Sequence, residues 1–183
     1  MEFIEHTVES APVNVRPALE GAKKKFGGVP KPLARLAESP TAVAAFQDLL
    51  VHFESSSLTP AEREVITFVV ATTNACHYCV ALHSRLAKHV LDADAIAALR
   101  NGGKLADRRL EALRCFTHAV IASHGDVPDT ERAAFEAAGF NSRQALDVVV
   151  GIATYTLSTF SNRLTRAPLE SALEPYRWSE PAP

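Results

Sequence analysis

Residues 58–84 read LTPAEREVITFVVATTNACHYCVALHS, and the way this stretch folds decides the architecture. It opens with a helix-start device: Thr59 as cap, Pro60 at the first helical position and Glu62 three residues after the cap, the spacing of a capping box. The run from Val65 to Ala71 is apolar without strand-type alternation. Thr72 and Thr73 are β-branched and stand before Asn74, a residue favoured at helix boundaries. If one straight helix continued through them, Glu64 and Cys76 would lie about 18 Å apart along its axis. A break at Asn74 instead returns the second half of the stretch to the first. The spacing therefore predicts two helices, the second over about 75–91, with Asn74 as its N-cap.

Outward from this pair the same signals recur. In SPTAVAAFQDLLVHFES (39–55), Ser39 is the cap and Pro40 follows it. The NGG at 101–103 is a stop, and DRRLEALRCFTHAVIASH (107–124) is closed by Gly125. PDTERAAFEAAG (128–139) ends at Gly139, and SRQALDVVVGIATYTLSTFSNRL (142–164) starts with Ser142 as cap. The expectation is an all-α protein: a single compact helical domain of about six to eight helices. Residues 1–38, with prolines 12, 17, 30 and 32, read as an irregular N-terminal arm, 39–165 as the helical core, and 166–183 as an irregular C-terminal tail.

The 183 residues are 47% hydrophobic and carry a net charge near −2. The single basic run, Lys23-Lys24-Lys25, is too short to argue for nucleic acid or an anionic membrane. VITFVVA and LDVVVGIA fall far below the ~20 apolar residues that span a bilayer. The opening MEFIEHTVESAPV lacks a basic segment followed by an apolar one, so a cytoplasmic protein is expected. Three cysteines are too few for a disulfide framework, and a CxxC in a reducing compartment points to redox cycling or metal binding.

On a helix, Cys76 and Cys79 stand at i and i+3 and His83 at i+4 from Cys79, so all three share one face. An unperturbed thiol, with a pKa of about 8.5, is only a few per cent thiolate at neutral pH and needs help to react. With Asn74 as cap, Cys76 falls in the first turn, where free amides and the helix dipole favour an anion. His83 is a proton acceptor for Cys79. Glu64, on an apolar segment, requires a polar partner if buried, and His83 is the candidate. Two other readings of the cysteines stand beside this one: inert buried thiols, and a zinc site built from Cys76, Cys79 and His83 with Glu64 or His77. Cys115, Phe68, Phe116, Tyr155 and Phe160 read as core, His77 as exposed or at a subunit boundary, and His118 and His124 as structural.

Glu64, eleven intervening residues, Cys76-x-x-Cys79, three residues and His83 resemble the signature of the alkyl hydroperoxidase D family, within the carboxymuconolactone decarboxylase-like superfamily. GVPKPLARLAESP (28–40) and the block ending at Ser84 resemble its peroxidase-related branch. The resemblance implies an all-helical, metal-free hydroperoxide reductase assembled as a homo-oligomer, a trimer or hexamer. Carried over, Cys79 is peroxidatic, Cys76 resolves the sulfenic acid, and Glu64 with His83 relays protons. No resident cofactor is implied. Turnover draws on an external dithiol, a lipoyl or thioredoxin-like protein. The family pattern has histidine immediately before the second cysteine, where this chain has Tyr78, a further relay candidate but a poorer one at neutral pH. The dipole argument favours Cys76 as the thiolate, whereas the resemblance assigns the attack to Cys79. Two alternatives accompany the reductase: a redox-responsive interaction or disulfide-exchange protein without efficient turnover, and a carboxymuconolactone-type decarboxylase that does not call for the cysteines.

Overall fold

The computed structural model describes residues 2–180, and among them every regular element is a helix. In chain order these are α1 (Arg16–Phe26), α2 (Lys31–Leu36), α3 (Pro40–Glu54), α4 (Pro60–Thr73), α5 (His77–Leu86), α6 (Ala93–Arg100), α7 (Arg108–Ala122), α8 (Asp129–Ala137) and α9 (Ser142–Leu164). Short 3-10 turns occupy Val13–Val15, Ala87–His89 and Ser171–Tyr176. The all-α expectation holds.

α4 is the centre. Its residues from Val65 through Ala71 are all buried, as expected of a helix apolar on every side. It packs against α9, α7 and α5, while α3 lies along the other flank of α9. The α3–α9 contact is close because α9 carries Gly151. A Cβ there would stand 2.5 Å from the Phe53 ring and 2.9 Å from Ile66. Phe68, Phe116 and Tyr155 join this core, as their spacing predicts.

The starts of α3 and α4 follow the sequence. Ser39 accepts from the Ala42 amide, and Thr59 and Glu62 form the reciprocal capping box. Several other boundaries differ. Asn74 closes α4 instead of opening the next helix; Ala75 turns the chain with φ of +47°. Cys76 is itself the N-cap of α5, in extended backbone, so it stands just outside the helical stripe. The helix expected over about 75–91 ends at Leu86 and passes through a 3-10 turn. A separate helix, α6, capped by Asp92, precedes the NGG stop. At the start of α9, Asn141 is the cap and Gln144 completes its box, so Ser142 is the first helical residue.

The arm expected to be irregular holds α1 and α2. Its prolines do not break helices because Pro17 and Pro32 fall in first turns, where no amide donor is missed. Gly27, at φ +79°, supplies the left-handed C-cap of α1. Ala11, Val15 and Leu19 pack on Ala37 and Val43. Glu5 bridges Lys31 at 2.6 Å and Arg35 at 2.7 Å, and Arg35 donates to the carbonyls of Thr165 and Arg166 just past α9. The segment after α9 is irregular apart from its 3-10 turn; residues 181–183 of the expected tail lie outside the described ones. Two residues read as core are not: Cys115 faces solvent beside Glu111, and Phe160 is 58% exposed on the outer face of α9. Among the described residues no helix is long and apolar enough to cross a membrane.

Candidate active site

The turn at Asn74-Ala75 folds α5 back along α4, and this brings together four residues read from the motif. Glu64 projects from α4 and His83 from α5, and His83 Nδ1 donates to Glu64 Oε2 at 2.9 Å. The pair is half-hidden: the His83 side chain is 8% exposed and that of Glu64 18%. With Nδ1 committed as donor, Nε2 of the neutral ring is left as the acceptor. Tyr155, from α9, packs its ring edge against the imidazole at 5.1 Å between centroids and fixes its plane. A cavity of about 370 Å³ opens beside this pair, lined by Phe53, Arg63, Glu64, Thr67, Leu86, Val90 and Tyr155 among others.

Both motif cysteines are buried free thiols, 1% and 3% exposed. Their chemical environments differ. The Cys79 thiol donates to the Cys76 sulfur, and the backbone amide of Cys79, the side-chain amide of Asn162 and the backbone amide of Tyr78 add further donors; together they bring Cys76 down to about 7 against the opposing effect of burial. Donating that proton and losing water push Cys79 the other way, well above the usual thiol range. The resting anion therefore belongs to Cys76.

Sequence reasoning missed the residues that surround the sulfurs from α9. Asn162 Nδ2 lies 3.2 Å from Cys79 Sγ and 3.9 Å from Cys76 Sγ, and Ser158 Oγ lies 3.7 Å from Cys79 Sγ. The same helix end grips the turn itself. Asn74 Nδ2 donates to Thr159 Oγ1 at 2.9 Å, and the Arg163 guanidinium donates to the Asn74 carbonyl. The sequence signal is the polar cluster STFSN (158–162) inside an otherwise apolar helix.

Tyr78 is directed elsewhere than the relay. Its hydroxyl donates to Glu170 Oε1 at 3.2 Å, and burial, followed by the Glu170 charge, holds it well above the ordinary tyrosine range. Glu170 Oε1 also accepts from the Lys31 amide at 2.7 Å, while its buried Oε2 has no hydrogen-bond partner among the described residues. His77 is exposed, as read, and its Nδ1 donates to the Trp178 carbonyl at 2.9 Å. The two residues between the cysteines are thus both tied to the segment 170–178, which Arg100 secures by donating to the carbonyls of Tyr176 and Arg177. Among the described residues no three His, Cys, Asp or Glu side chains converge as metal ligands require. Glu62, unremarked beyond its cap, is 2% exposed and pairs with Arg109 at 2.7 Å, a structural contact away from the sulfurs.

Comparison with known proteins agrees with this fold. Residues 37–116 match the family described as the Carboxymuconolactone decarboxylase family. An uncharacterized peroxidase-related protein of Ralstonia eutropha, described as an alkylhydroperoxidase AhpD core, superposes with a TM-score of 0.79 at 23% identity, covering 94% of this chain and 93% of that one. A peroxidase-related protein from Silicibacter sp. gives 0.79 at 20% identity, covering 97% and 95%. The debrominase Bmp8, as a cysteine-to-alanine variant in complex with 2,3,4-tribromopyrrole, gives 0.76 at 15% identity, covering 96% and 95%. No curated protein matches the chain in sequence. The chain has the alkyl hydroperoxidase D-like fold, as its motif suggested.

Proposed function

We propose that this protein is a thiol-dependent hydroperoxide reductase, working in the cytoplasm with Cys76 and Cys79 as its redox couple. The observation that carries the reading is the unequal thiol pair, one sulfur acidic and the other not, with a hydrogen-bonded carboxylate–imidazole pair whose His83 stands one helical turn from Cys79 on α5. The two sulfurs suit different steps. A thiolate of higher pKa is the stronger nucleophile, whereas a thiol of pKa near 7 is ionised at ambient pH. Cys79 passes its proton to Cys76, and its thiolate attacks the nearer oxygen of ROOH. The O–O bond breaks, Cys79 becomes the sulfenic acid, and the departing alkoxide leaves as ROH with the proton that Cys76 had accepted, relayed through Nε2 of His83, whose ring Glu64 orients. Cys76, ionised again by that transfer, attacks the Cys79 sulfur. The S–S bond forms, the S–O bond breaks and hydroxide leaves as water with a proton from solvent. A dithiol protein of lipoyl or thioredoxin type restores both thiols by exchange, and no resident cofactor takes part.

An exposed apolar row on α9, Leu146, Val149, Phe160 and Leu164, supports assembly as a homo-oligomer, a trimer or hexamer. A second reading has its own observation. Both residues between the cysteines bond to the segment 170–178, the geometry of a redox-responsive interaction protein.

The test is peroxide consumption with a panel of dithiols, comparing the unmodified protein with Cys76→Ser and Cys79→Ser. The expected result is turnover in the unmodified protein alone. Single-turnover oxidation without cycling under every dithiol favours the redox-responsive reading. Equal consumption in all three proteins overturns the reductase, and lactone decarboxylation surviving both replacements favours the decarboxylase.

A further inference from the structure

Asn162 stands in the last turn of α9, outside the family motif and 83 residues from Cys79 in sequence. Its side chain is buried, and its amide nitrogen faces both sulfurs, at 3.2 Å from Cys79 and 3.9 Å from Cys76. A carboxamide nitrogen carries two hydrogens, so one atom can serve two acceptors at once. The position is held rigidly. Arg163 donates to the Asn74 carbonyl, Asn74 donates to Thr159, and the Ala167 amide closes on the Asn162 carbonyl at 2.9 Å.

The pair has one negative charge to place and two steps that need it on different sulfurs. A fixed cation beside one sulfur would hold the charge there. A neutral amide shared between them favours the anion on either. We propose that Asn162 is the common donor to both reacting sulfurs, allowing the single thiolate charge to move between Cys76 and Cys79 during the cycle. This rests on the reading of the two cysteines as a working couple.

The neighbouring ionisable groups are committed elsewhere. From α4 and α5, Glu64 and His83 bond to each other; Tyr78 on α5 bonds to Glu170; Arg163 on α9 reaches the Asn74 carbonyl; and Tyr155, also on α9, is packed on the imidazole. Ser158 reaches Cys79 but has no recorded contact with Cys76, so among the described hydrogen bonds Asn162 is the side chain outside the pair that reaches both.

The experiment follows iodoacetamide alkylation against pH in two single-thiol backgrounds, Cys76→Ser and Cys79→Ser, each with Asn162 kept or replaced by Leu or by the near-isosteric Asp; Cys115 is replaced by Ser throughout. The expected result is an upward move of the alkylation midpoint in both backgrounds, with about a tenfold loss of rate at pH 7 for each unit of movement. Asp, which brings a repelling carboxylate, moves it further than Leu. Loosening of the packing alone would give a different sign. Cys79 is held high by burial, so a merely loosened site would lower its midpoint toward the ordinary value. A downward move in the Cys76→Ser background, a move in one background only, or none in either overturns the proposal. The assay contains no peroxide. Shifts in both backgrounds without peroxide turnover would defeat the reductase reading and leave the shared donor standing.

Discussion

Glu64 Oε2 and His83 Nδ1 lie 2.9 Å apart although nineteen residues separate them along the chain. The contact exists because α4 stops at Asn74 and α5 returns beside it. Neither residue hydrogen-bonds to a sulfur, so in the proposed cycle the pair would act on the proton rather than on the charge of the thiolate.

Glu64→Gln is therefore expected to lower peroxide turnover by about two orders of magnitude, the ordinary worth of one positioned acid–base group. The pH midpoint of Cys76 alkylation should hardly move. A large shift of that midpoint with turnover intact would show that the carboxylate serves the sulfur and not the proton.

The unequal thiols make reactivity depend on pH in a definite direction. Raising the pH removes a proton, and Cys76, brought down to about 7 chiefly by the hydrogen bond from Cys79, passes through its midpoint below the ordinary thiol range. Alkylation at Cys76 should rise about tenfold per pH unit below 7 and level off by about pH 8. Cys79, held high by its bond to Cys76 and by burial, should label only at higher pH. Peptide mapping after brief labelling at pH 7 checks the order. Label found first on Cys79 would reverse the assignment of the resting anion.

Gly151→Ala tests the close approach of α9 to α3. The new methyl carbon would meet the Phe53 ring at 2.5 Å and Ile66 at 2.9 Å, both on buried, confined side chains. Overpacking of this kind costs about 1–3 kcal/mol. Thermal unfolding should show a Tm lower by roughly 2–4 °C for each kcal/mol at this chain length. An unchanged Tm would mean that the helices separate without penalty.

Trp178 is the single tryptophan, 5% exposed, and its carbonyl accepts from His77 between the cysteines. Oxidising the pair with diamide should reshape that dipeptide and red-shift the tryptophan emission as the indole meets water. The Cys76→Ser protein should show no such shift. Identical spectra for the reduced and oxidised forms of the unmodified protein would break the link between the sulfurs and this segment.

How far the sequence could be read depended on the range of the interaction. Ser39, Thr59 and Glu62 cap their helices as their spacing requires, because a cap is settled within four residues. Glu64, Cys76, Cys79 and His83 were found because the motif spans a single helical hairpin. Asn162 and Glu170 were not, since each reaches the site across more than eighty residues, and a polar cluster such as STFSN does not by itself say what it touches. Asn74 was assigned to the wrong helix for a related reason. Asparagine suits both ends of a helix, and only the packing of α5 against α4 decides between them. Phe160 and Cys115 show the remaining limit: helical spacing predicts which residues share a stripe, but an apolar stripe can face outward.

Ala75 takes the left-handed conformation at φ +47°, immediately before Cys76. Outside glycine this basin is small, so the turn has little room to move without leaving it. It confines the arc through which the first sulfur can swing, and any change that oxidation of the pair would impose falls on the His77-Tyr78 dipeptide beyond it.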